Sequence, residues 1–426
     1  MKPDIILILI DSSNYRKIIS TETITPNIDK LIKNGVTFSN ATSIADATLL
    51  STTGLFTAMY PFKTGIRSPR ENKLNQNITT IFSILEKEGY ENYGYRPTLQ
   101  ENDDLFPDFE NEDDLYDVFC NMDEGLGKKI IDQLKKKKGK PRFFFIHPHD
   151  LHQPIVVTKE FDDEKFGMGN YEKQTASLDS WIGKIIDQVE LKNTLIVITG
   201  DHGSFVKSLS VNGKSVIEAD GLNQLRISKI SNNLPEFLNP IKKKLFFTLE
   251  NRKQKKKEKI ISELDLTANE KRNLLAGRFT VNHSLFEDQI RIPLIFSGYN
   301  VKPGLEIRQQ VRNIDISPTI LDIIEILNES NTDGVSLKKL IDEEDVVEPP
   351  AFLETNPLII RKSDDVIGIR TSEFKYFRHK QISDKNVNLY DLKNDPYENN
   401  NLKDERKDVV LDMEKQIQNI IGDYKI

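Results

Sequence analysis

The sequence has a single cysteine, Cys120, among its 426 residues. One cysteine excludes an intrachain disulfide and a cluster of thiolate ligands around a metal ion. Long hydrophobic runs are lacking as well. The apolar run between Asp4 and Asp11 has six residues, whereas a membrane helix needs about 20 and a signal-peptide core is also longer. We therefore expect a cytoplasmic protein, in a reducing compartment, without a membrane span.

The chain also lacks a strong excess of charge of either sign. It has 59 Lys and Arg against 66 Asp and Glu, a formal net charge of −7. This balance argues against a surface built as a whole to bind nucleic acid or an anionic membrane. The hydrophobic fraction of 37% and the charged fraction of 29% are typical of a soluble, folded protein.

Short apolar runs alternate with helical patterns along the first 300 residues. Four apolar runs are predicted strands: 5–10, 143–146, 194–199 and 292–298. Three helical patterns lie between them: 27–35, 79–89 and 177–190. Continuous apolar runs are typical of strands buried on both faces, and their alternation with helices predicts an α/β fold with a mainly parallel, doubly wound sheet.

The pattern changes in two places. From about residue 346, residues 357–381 resemble antiparallel strands, and a polar terminal helix follows. We therefore predict a large domain over 1–345 and a smaller α+β subdomain over 346–426. Residues 203–282 interrupt the large domain as a helical insertion, in which 241–278 carry twelve Lys or Arg against five Asp or Glu. This basic stretch either attracts a polyanionic substrate or is a helical insertion exposed to solvent without a binding role.

Residue types that bind metal ions follow two predicted strands directly. Asp11 follows the first strand, and Asp201 with His202 follows the strand at 194–199. Ligands of such sheets bind at the carboxyl ends of the strands, and two carboxylates with an imidazole suit a hard or borderline divalent cation. Thr48 is a candidate for a fourth ligand, because coordination lowers the pKa of a hydroxyl and could make it an alkoxide nucleophile.

Thr48 also begins a helical pattern, which leaves two interpretations open. As a nucleophile, it would stand where the free N–H groups and the positive end of the helix dipole face an anionic substrate. As a structural residue, it would be the N-cap, and Ser51 is a second candidate for a cap. The residues alone favour the structural N-cap.

Three of the six histidines, His147, His149 and His152, follow the strand at 143–146. Pro148 and Asp150 lie between them, and such residues are uncommon in a hydrophobic core, so packing in a core does not readily explain the three histidines. Clustering at a strand end favours a functional site for His152, whereas a structural role is preferred for His147 and His149.

Taken together and in order, these motifs resemble the sulfatase family of the alkaline phosphatase superfamily over almost the whole chain. The similar segments are 4–13, 25–43, 48–66, 143–154, 195–204, 283–296, 313–324, 333–341 and 388–402. The resemblance implies an alkaline-phosphatase-like fold, with a central mixed sheet flanked by helices. It also implies a catalytic role for the large domain, namely hydrolysis or transfer of a sulfate or phosphate ester at a divalent cation.

The resemblance also assigns roles to single residues. It places one divalent cation, Mn, Mg, Ca or Zn, on Asp11, Thr48, Asp201 and His202. Thr48 is its nucleophile, and His152 and His283 lie near the ester oxygens. A second cation is less expected, and the candidates for its ligands are three: Asp150, His149 and His283.

Two departures from the family pattern bear on the reaction. The sulfatase nucleophile is a Cys or Ser in a Cys-x-Pro-Ser-Arg pattern that is oxidised to formylglycine, whereas residues 48–52 are Thr-Leu-Leu-Ser-Thr. A threonine cannot become that aldehyde, and the arginine is absent. The family's second aspartate after the first strand is Ser12 here. Formylglycine chemistry is therefore not expected, and a threonine nucleophile is typical of phosphate-handling relatives such as nucleotide pyrophosphatases, phosphodiesterases and glycerol-phosphate transferases.

The leading hypothesis is a metal-dependent hydrolase or transferase of phosphate or sulfate esters that forms a covalent intermediate on Thr48. Two alternatives remain. One is a sulfuric ester hydrolase that acts on carbohydrate without formylglycine, and the other is a sulfatase-like binding protein without catalysis. The expected partner is an anionic ester, with carbohydrate or polymer-linked esters as candidates, and nucleic acid is not expected.

Overall fold

The structure is a computed structural model and describes most of the chain. The described residues are 2–19, 23–68, 71–97, 105–111, 116, 120–136, 139–206, 208–211, 214–217, 255, 258–259, 261–276, 285–327, 331–355 and 365–424. His283 and most of the insertion 203–282 lie outside them, so the predicted roles of His283 and of the basic stretch stay predictions.

Fifteen strands and twelve α-helices make up the regular structure of the described residues. The strands are β1 (Asp4–Ile10), β2 (Gly35–Thr42), β3 (Ile66–Ser68), β4 (Glu71–Asn72), β5 (Glu91–Tyr95), β6 (Arg142–Ile146), β7 (Thr194–Gly200), β8 (Ser208–Val211), β9 (Lys214–Ile217), β10 (Leu294–Gly298), β11 (Leu305–Arg312), β12 (Ala351–Glu354), β13 (Val366–Arg370), β14 (Phe374–His379) and β15 (Asn388–Asp391). The helices are α1 (Tyr15–Ile18), α2 (Pro26–Lys33), α3 (Thr48–Thr57), α4 (Pro61–Thr64), α5 (Ile81–Lys87), α6 (Leu126–Leu134), α7 (Asn170–Ile186), α8 (Ala268–Leu275), α9 (Glu287–Ile290), α10 (Ile316–Ile323), α11 (Lys338–Ile341) and α12 (Lys407–Ile421). No helix in this part of the chain has the length and apolar character needed to cross a membrane.

Seven strands form the central sheet, in the order β11–β2–β10–β7–β1–β6–β5. β10 runs antiparallel to its neighbours β2 and β7, and all other adjacent strands are parallel. The predicted fold class is confirmed: a central, mostly parallel sheet is flanked by helices, and a smaller antiparallel sheet follows near the carboxyl terminus.

β1 lies near the middle of the central sheet and is buried along its whole length. Ile5 and Leu7 join one core cluster, which also contains residues of α3, α5 and α10. Ile6 and Ile8 join the other cluster, with residues of α2, α6 and α7. Successive side chains of a strand leave opposite faces. Helices therefore cover both faces of β1, which is why its sequence is a continuous apolar run.

The register of the parallel strands determines which residues meet at the carboxyl edge of the sheet. Ile10 of β1 pairs with Gly200 of β7, so Asp11 and Asp201 leave the sheet side by side. On the other side of β1, Ile8 pairs with Ile146, the last residue of β6. The chain that follows β6 therefore runs along the end of β1, where the Asp11 N–H donates to the Pro148 backbone oxygen at 3.2 Å.

The second sheet has the order β12–β13–β14–β15 and is antiparallel throughout. The hairpin between β13 and β14 turns at residues 371–373, close to the predicted turn, and the predicted terminal helix is α12. Met413 and Ile417 of α12 join the core of this sheet. Residues 356–364, where an earlier turn is predicted, lie outside the described residues, and the domain boundary at 345/346 stays a prediction.

Buried ion pairs attach the second sheet to α9. The Glu287 carboxylate lies 2.9 Å from the Arg370 guanidinium and 3.1 Å from Lys375 Nζ, and all three side chains are buried. Burial opposes ionisation of Glu287, but Arg370 and Lys375 outweigh it and hold the pKa of this carboxyl well below its usual range. Residues of the carboxyl-terminal sheet therefore hold α9 in place, and α9 in turn contacts the site described next.

Candidate active site

Four side chains from three chain segments meet at the carboxyl edge of the sheet. Thr48 Oγ1 donates a hydrogen bond to Asp201 Oδ2 at 2.6 Å and lies 3.3 Å from Asp11 Oδ2. The same oxygen lies 3.4 Å from His202 Nε2. Both carboxylates are fully buried, whereas Thr48 and His202 are partly exposed. The residues that the sequence proposes as metal ligands are thus adjacent in space, and their metal-binding role stays a prediction.

The start of α3 differs from the sequence prediction. Ala47 is the N-cap, with an extended backbone at φ −151° and ψ 151°, and no side chain caps this helix. The predictions of Thr48 as the N-cap and of Ser51 as a cap are therefore wrong. The Thr48 hydroxyl turns to the carboxylates instead of its own backbone, and Ser51 Oγ, one turn into the helix, donates to the backbone oxygen of Asp201. The helix start is thereby tied to the loop after β7.

Ser12, at the position where the resemblance leads us to expect a second aspartate, holds both site carboxylates. Its backbone N–H donates to Asp201 Oδ1 at 3.0 Å, and its hydroxyl donates to Asp11 Oδ1 at 2.6 Å. Ser12 has φ +56°, a value uncommon outside glycine. The Tyr171 hydroxyl supports this conformation by donating to the Ser12 backbone oxygen at 2.8 Å and accepting from the Asn14 N–H at 2.7 Å. Ser12 therefore orients the carboxylates through hydrogen bonds.

A tight turn after Asp201 orients His202. His202 Nδ1 lies 2.7 Å from the backbone oxygen of Gly203, and because a carbonyl oxygen only accepts, Nδ1 carries the hydrogen. The lone pair of Nε2 is then directed at Thr48, which is the tautomer that a metal ligand needs. The Gly203 N–H donates to the Gln289 backbone oxygen of α9 at 2.6 Å.

Gly203→Ala is expected to displace this turn, because a Cβ at residue 203 would lie 2.2 Å from the backbone oxygen of Asp288. We expect a loss of about 1–3 kcal/mol in the free energy of unfolding, as for other overpacked sites, together with weaker cation binding. Chemical denaturation and cation titration measure the two effects. Gly139→Ala is the control, since a Cβ there meets nothing within 4 Å. Two variants with equal stability and equal cation affinity would contradict the prediction.

The three clustered histidines continue the site beyond Asp11. His149 Nε2 lies 3.3 Å and His147 Nε2 3.8 Å from Asp11 Oδ2. The ring of His152 stacks on that of His149, with centroids 5.4 Å apart. The sequence alone favours a structural role for His147 and His149, whereas the structure places both imidazoles near Asp11. The signal for a site was their spacing, since alternate residues beyond a strand end can face the same way.

Asp150, a sequence candidate for a second cation, does not join these groups. Its Oδ1 accepts hydrogen bonds from the Met122 N–H at 3.3 Å and from Gln174 Nε2 at 3.0 Å, so the side chain is directed at α7 and the segment before α6. Burial raises the pKa of Asp150 to about 7. Its position indicates a role in anchoring the loop that carries the histidines.

Comparison with known proteins identifies the family. The family model described as Sulfatase matches residues 3–326, well over half of the sequence. The chain belongs to the sulfatase family. A second model, described as N-sulphoglucosamine sulphohydrolase, C-terminal, matches residues 278–423. The family resemblance seen in the ordered motifs is thereby confirmed.

Individual relatives of this sulfatase-family chain are distant. Arylsulfatase K of Mus musculus is 26% identical over 149 residues, which are 34% of this chain and 27% of the mouse protein. The structure of BT4656 in complex with its substrate D-glucosamine-2-N,6-O-disulfate has a TM-score of 0.67 at 15% identity, over 100% of this chain and 99% of that one. The phosphonate monoester hydrolase of Agrobacterium radiobacter has a TM-score of 0.68 at 14% identity, over 100% and 96%. The sequence match thus spans about a quarter of the mouse protein. The similarity to the two solved structures shows a shared fold and nothing beyond it.

Buried charge shifts the pKa values of this sulfatase-family site in opposite directions. Burial raises the pKa of Asp201 to about 7, and the charge of Asp11 adds to the shift. Burial also disfavours an ionised Asp11, but the neighbouring imidazoles, His149 foremost, outweigh it and lower its pKa well below the ordinary value. Burial opposes a charge on His202, yet Asp201 and Asp11 prevail and raise the pKa of its imidazole. The cation-free site therefore holds protons that a divalent cation would displace.

The donor set fits a divalent cation. Asp11, Asp201 and His202 each place one ligand atom within 4.8 Å of the others, and Thr48 Oγ1 lies among these atoms. Two buried carboxylates so close together repel each other unless a proton or a cation lies between them. Oxygen ligands with one imidazole suit Mg, Mn, Ca or Zn.

Cation binding is expected to strengthen as the pH rises from about 5.5 to about 8, because the cation competes with protons on Asp201 and His202. The pKa of Asp201 in the folded protein is about 7, above that of an unfolded-chain aspartate. Its contribution to the stability of the cation-free protein is therefore fully present at low pH and is lost as the pH rises through about 7. Thermal unfolding with and without cation at each pH measures this, and we expect the cation to raise Tm more at the higher pH. An equal or larger rise at the lower pH would contradict the assignment.

Proposed function

We propose that this sulfatase-family protein is a metal-dependent hydrolase or transferase of phosphate or sulfate esters, with Thr48 as its nucleophile. The observation that supports this is the position of Thr48 Oγ1, 2.6 Å from Asp201 Oδ2 and 3.3 Å from Asp11 Oδ2. Thr48 is also the first residue of the ten-residue helix α3. The free N–H groups of the first helical turn can bind the oxygens of an anionic ester there.

The proposed ligands of one divalent cation, Mn, Mg, Ca or Zn, are Asp11, Thr48, Asp201 and His202. When bound, the cation would lower the pKa of the Thr48 hydroxyl and neutralise charge on the ester oxygens. Ser12 holds one oxygen of each carboxylate by hydrogen bonds, which leaves the other oxygen of each directed at Thr48.

The protein side chains divide the reaction into two displacements. Thr48 Oγ1 gives its proton to solvent and forms a bond to phosphorus or sulfur while the bond to the leaving ester oxygen breaks. His152 is the proposed donor of a proton to that oxygen, since its ring lies beside His149 at the same edge. Water or an acceptor alcohol then gives its proton to His152, which returns to its starting state, and displaces Thr48, which regains a proton from solvent. Phosphate or sulfate, or a new ester, is released. His283, proposed for the same charge stabilisation, lies outside the described residues.

A sulfuric ester hydrolase that acts on carbohydrate is the second candidate function. It is favoured by the family match and by the sulfated glucosamine that BT4656 has as its substrate. Such an enzyme would use Thr48 directly, because Thr48 and the residues that follow it, Leu49 and Leu50, cannot supply formylglycine. A protein that binds esters without cleaving them is the third candidate.

Hydrolysis of an aryl phosphate monoester, an aryl phosphate diester and an aryl sulfate, each with Mn, Mg, Zn or Ca, tests these candidates. We expect cation-dependent release of the aryl alcohol, faster from a phosphate ester than from the sulfate. Faster sulfate release would favour the second candidate. A protein that binds no cation after dialysis against each metal and turns over none of the esters would contradict the proposed function and favour the third.

A further inference from the structure

A second group of metal-ligand side chains shares Asp11 with the first. We infer that Asp11, His147 and His149 form a second divalent-cation site, suited to a borderline cation such as Zn²⁺. This inference deepens the proposed function, and it rests on that function because the two sites share Asp11.

The spacing of the three donor atoms fits one small cation. His149 Nε2 lies 3.3 Å and His147 Nε2 3.8 Å from Asp11 Oδ2, and all three donor atoms lie within 4.8 Å of one another. Ligand atoms that each lie about 2.1 Å from a tetrahedral Zn²⁺ are roughly 3.4 Å apart. Both distances to Asp11 are therefore close to the spacing that such a cation requires.

The environment of His149 is an independent indication of a missing ligand. Its side chain is 7% exposed, and neither of its ring nitrogens has a hydrogen-bond partner among the described residues. Buried polar atoms in folded proteins nearly always have a hydrogen-bond partner. A buried imidazole that has no such partner and lies next to a carboxylate is therefore a candidate ligand of a metal ion. The Nε2 atom is also the one nearest Asp11.

Asp11 is able to serve both groups because its two oxygens have different partners. Oδ1 accepts the Ser12 hydroxyl at 2.6 Å. Oδ2 lies 3.3 Å from Thr48 Oγ1 and also 3.3 Å from His149 Nε2. This oxygen can therefore bridge two cations, as carboxylates of two-metal sites do.

The chemistry of the second group differs from that of the first. The first group offers two carboxylates, a hydroxyl and one imidazole, whereas the second offers one carboxylate and two imidazoles. Two histidines and one carboxylate are a ligand set of Zn²⁺ sites that keep a coordination position open for water or substrate. Hard cations such as Mg²⁺ and Ca²⁺ prefer oxygen ligands, so we expect them to occupy only the first group.

Cation stoichiometry tests the second site directly. The full-length protein is freed of metal with a chelator and dialysed against Zn²⁺ or, separately, Mg²⁺, and the bound metal is measured by elemental analysis. We expect about two Zn²⁺ but about one Mg²⁺ per chain, and about one Zn²⁺ in His149→Ala and in His202→Ala, because each variant removes a ligand of one group. Co²⁺ binding followed by visible absorption gives a readout that does not depend on activity.

The controls separate metal binding from folding. His379→Ala removes a buried histidine of β14 whose Nδ1 accepts backbone N–H bonds from Gln381 and Ile382, so it should leave the cation count unchanged. His149→Gln, with circular dichroism as the test of folding, replaces His149→Ala if the alanine variant is unfolded.

The outcomes distinguish this inference from the proposed function. One Zn²⁺ in the wild-type protein that is lost in His202→Ala and kept in His149→Ala would overturn the second site and leave the proposed function intact. One Zn²⁺ that is lost in both variants would also overturn it, since a single ion would then be shared. No bound cation would contradict both proposals.

Discussion

Thr48→Ala is expected to lower kcat/KM by about 10³-fold or more, because it removes the atom that forms the covalent intermediate. The hydroxyl of Thr48 is the group that both site carboxylates approach, at 2.6 and 3.3 Å. Steady-state kinetics on the best aryl ester measures the loss. Mass spectrometry of the quenched wild-type reaction should find phosphate or sulfate on the peptide that contains Thr48.

Two matched variants make the result specific to this hydroxyl. Thr52→Ala removes a threonine hydroxyl one turn further along α3, where it donates to the backbone oxygens of Thr48 and Leu49, and is expected to keep wild-type turnover. Thr48→Ser restores a hydroxyl at the site and should recover activity to within about tenfold of wild type. Equal turnover by wild type and Thr48→Ala would exclude Thr48 as the nucleophile.

Asp201→Asn is expected to weaken cation binding and to lower turnover by about 100-fold or more, because the amide removes the negative charge that binds the cation. The amide could still accept hydrogen bonds from the N–H groups of Ser12 and His202, which now reach Asp201 Oδ1 at 3.0 and 2.7 Å. The fold should therefore persist. Calorimetric titration with cation and kinetics at saturating cation measure the two losses.

Asp179→Asn is the control for this variant. Asp179 is also buried, but its carboxylate accepts N–H bonds from Asn27 and Ile28 at the start of α2, on the other side of the sheet from Thr48. We expect its cation affinity to equal that of wild type, although its stability can fall. If Asp201→Asn bound the cation as tightly as Asp179→Asn, the assignment of the first group would be wrong.

The carboxyl-terminal sheet supports the site through α9. Arg370 and Lys375 hold Glu287 at the start of α9, and the backbone oxygen of Gln289 in α9 accepts from the N–H of Gly203. The Gly203 turn in turn sets the tautomer of His202. The two sheets are thus connected through buried contacts to the same metal-ligand candidate, although they are far apart in sequence.

Much of the fold follows from local patterns in the sequence. The apolar run at 5–10 predicts a strand buried on both faces, and β1 is such a strand. Asp11 and Asp201 could be placed at the sheet edge because each directly follows an apolar run. The partners of the Thr48 hydroxyl at the start of α3 could not be predicted, because the two carboxylates that it approaches belong to other segments of the chain.

The sequence by itself determined the family, the strand-end positions of Asp11, Asp201 and His202, and that residue 48, a threonine, cannot become formylglycine. Only the tertiary structure decided that Ser12 binds both carboxylates and that His147 and His149 approach Asp11. The apolar pattern of a strand or helix spans only a few neighbouring residues, so it can be recognised directly in the sequence. The register of β1 with β6 and β7 joins segments more than a hundred residues apart, and the distances between their side chains exist only once the sheet has formed.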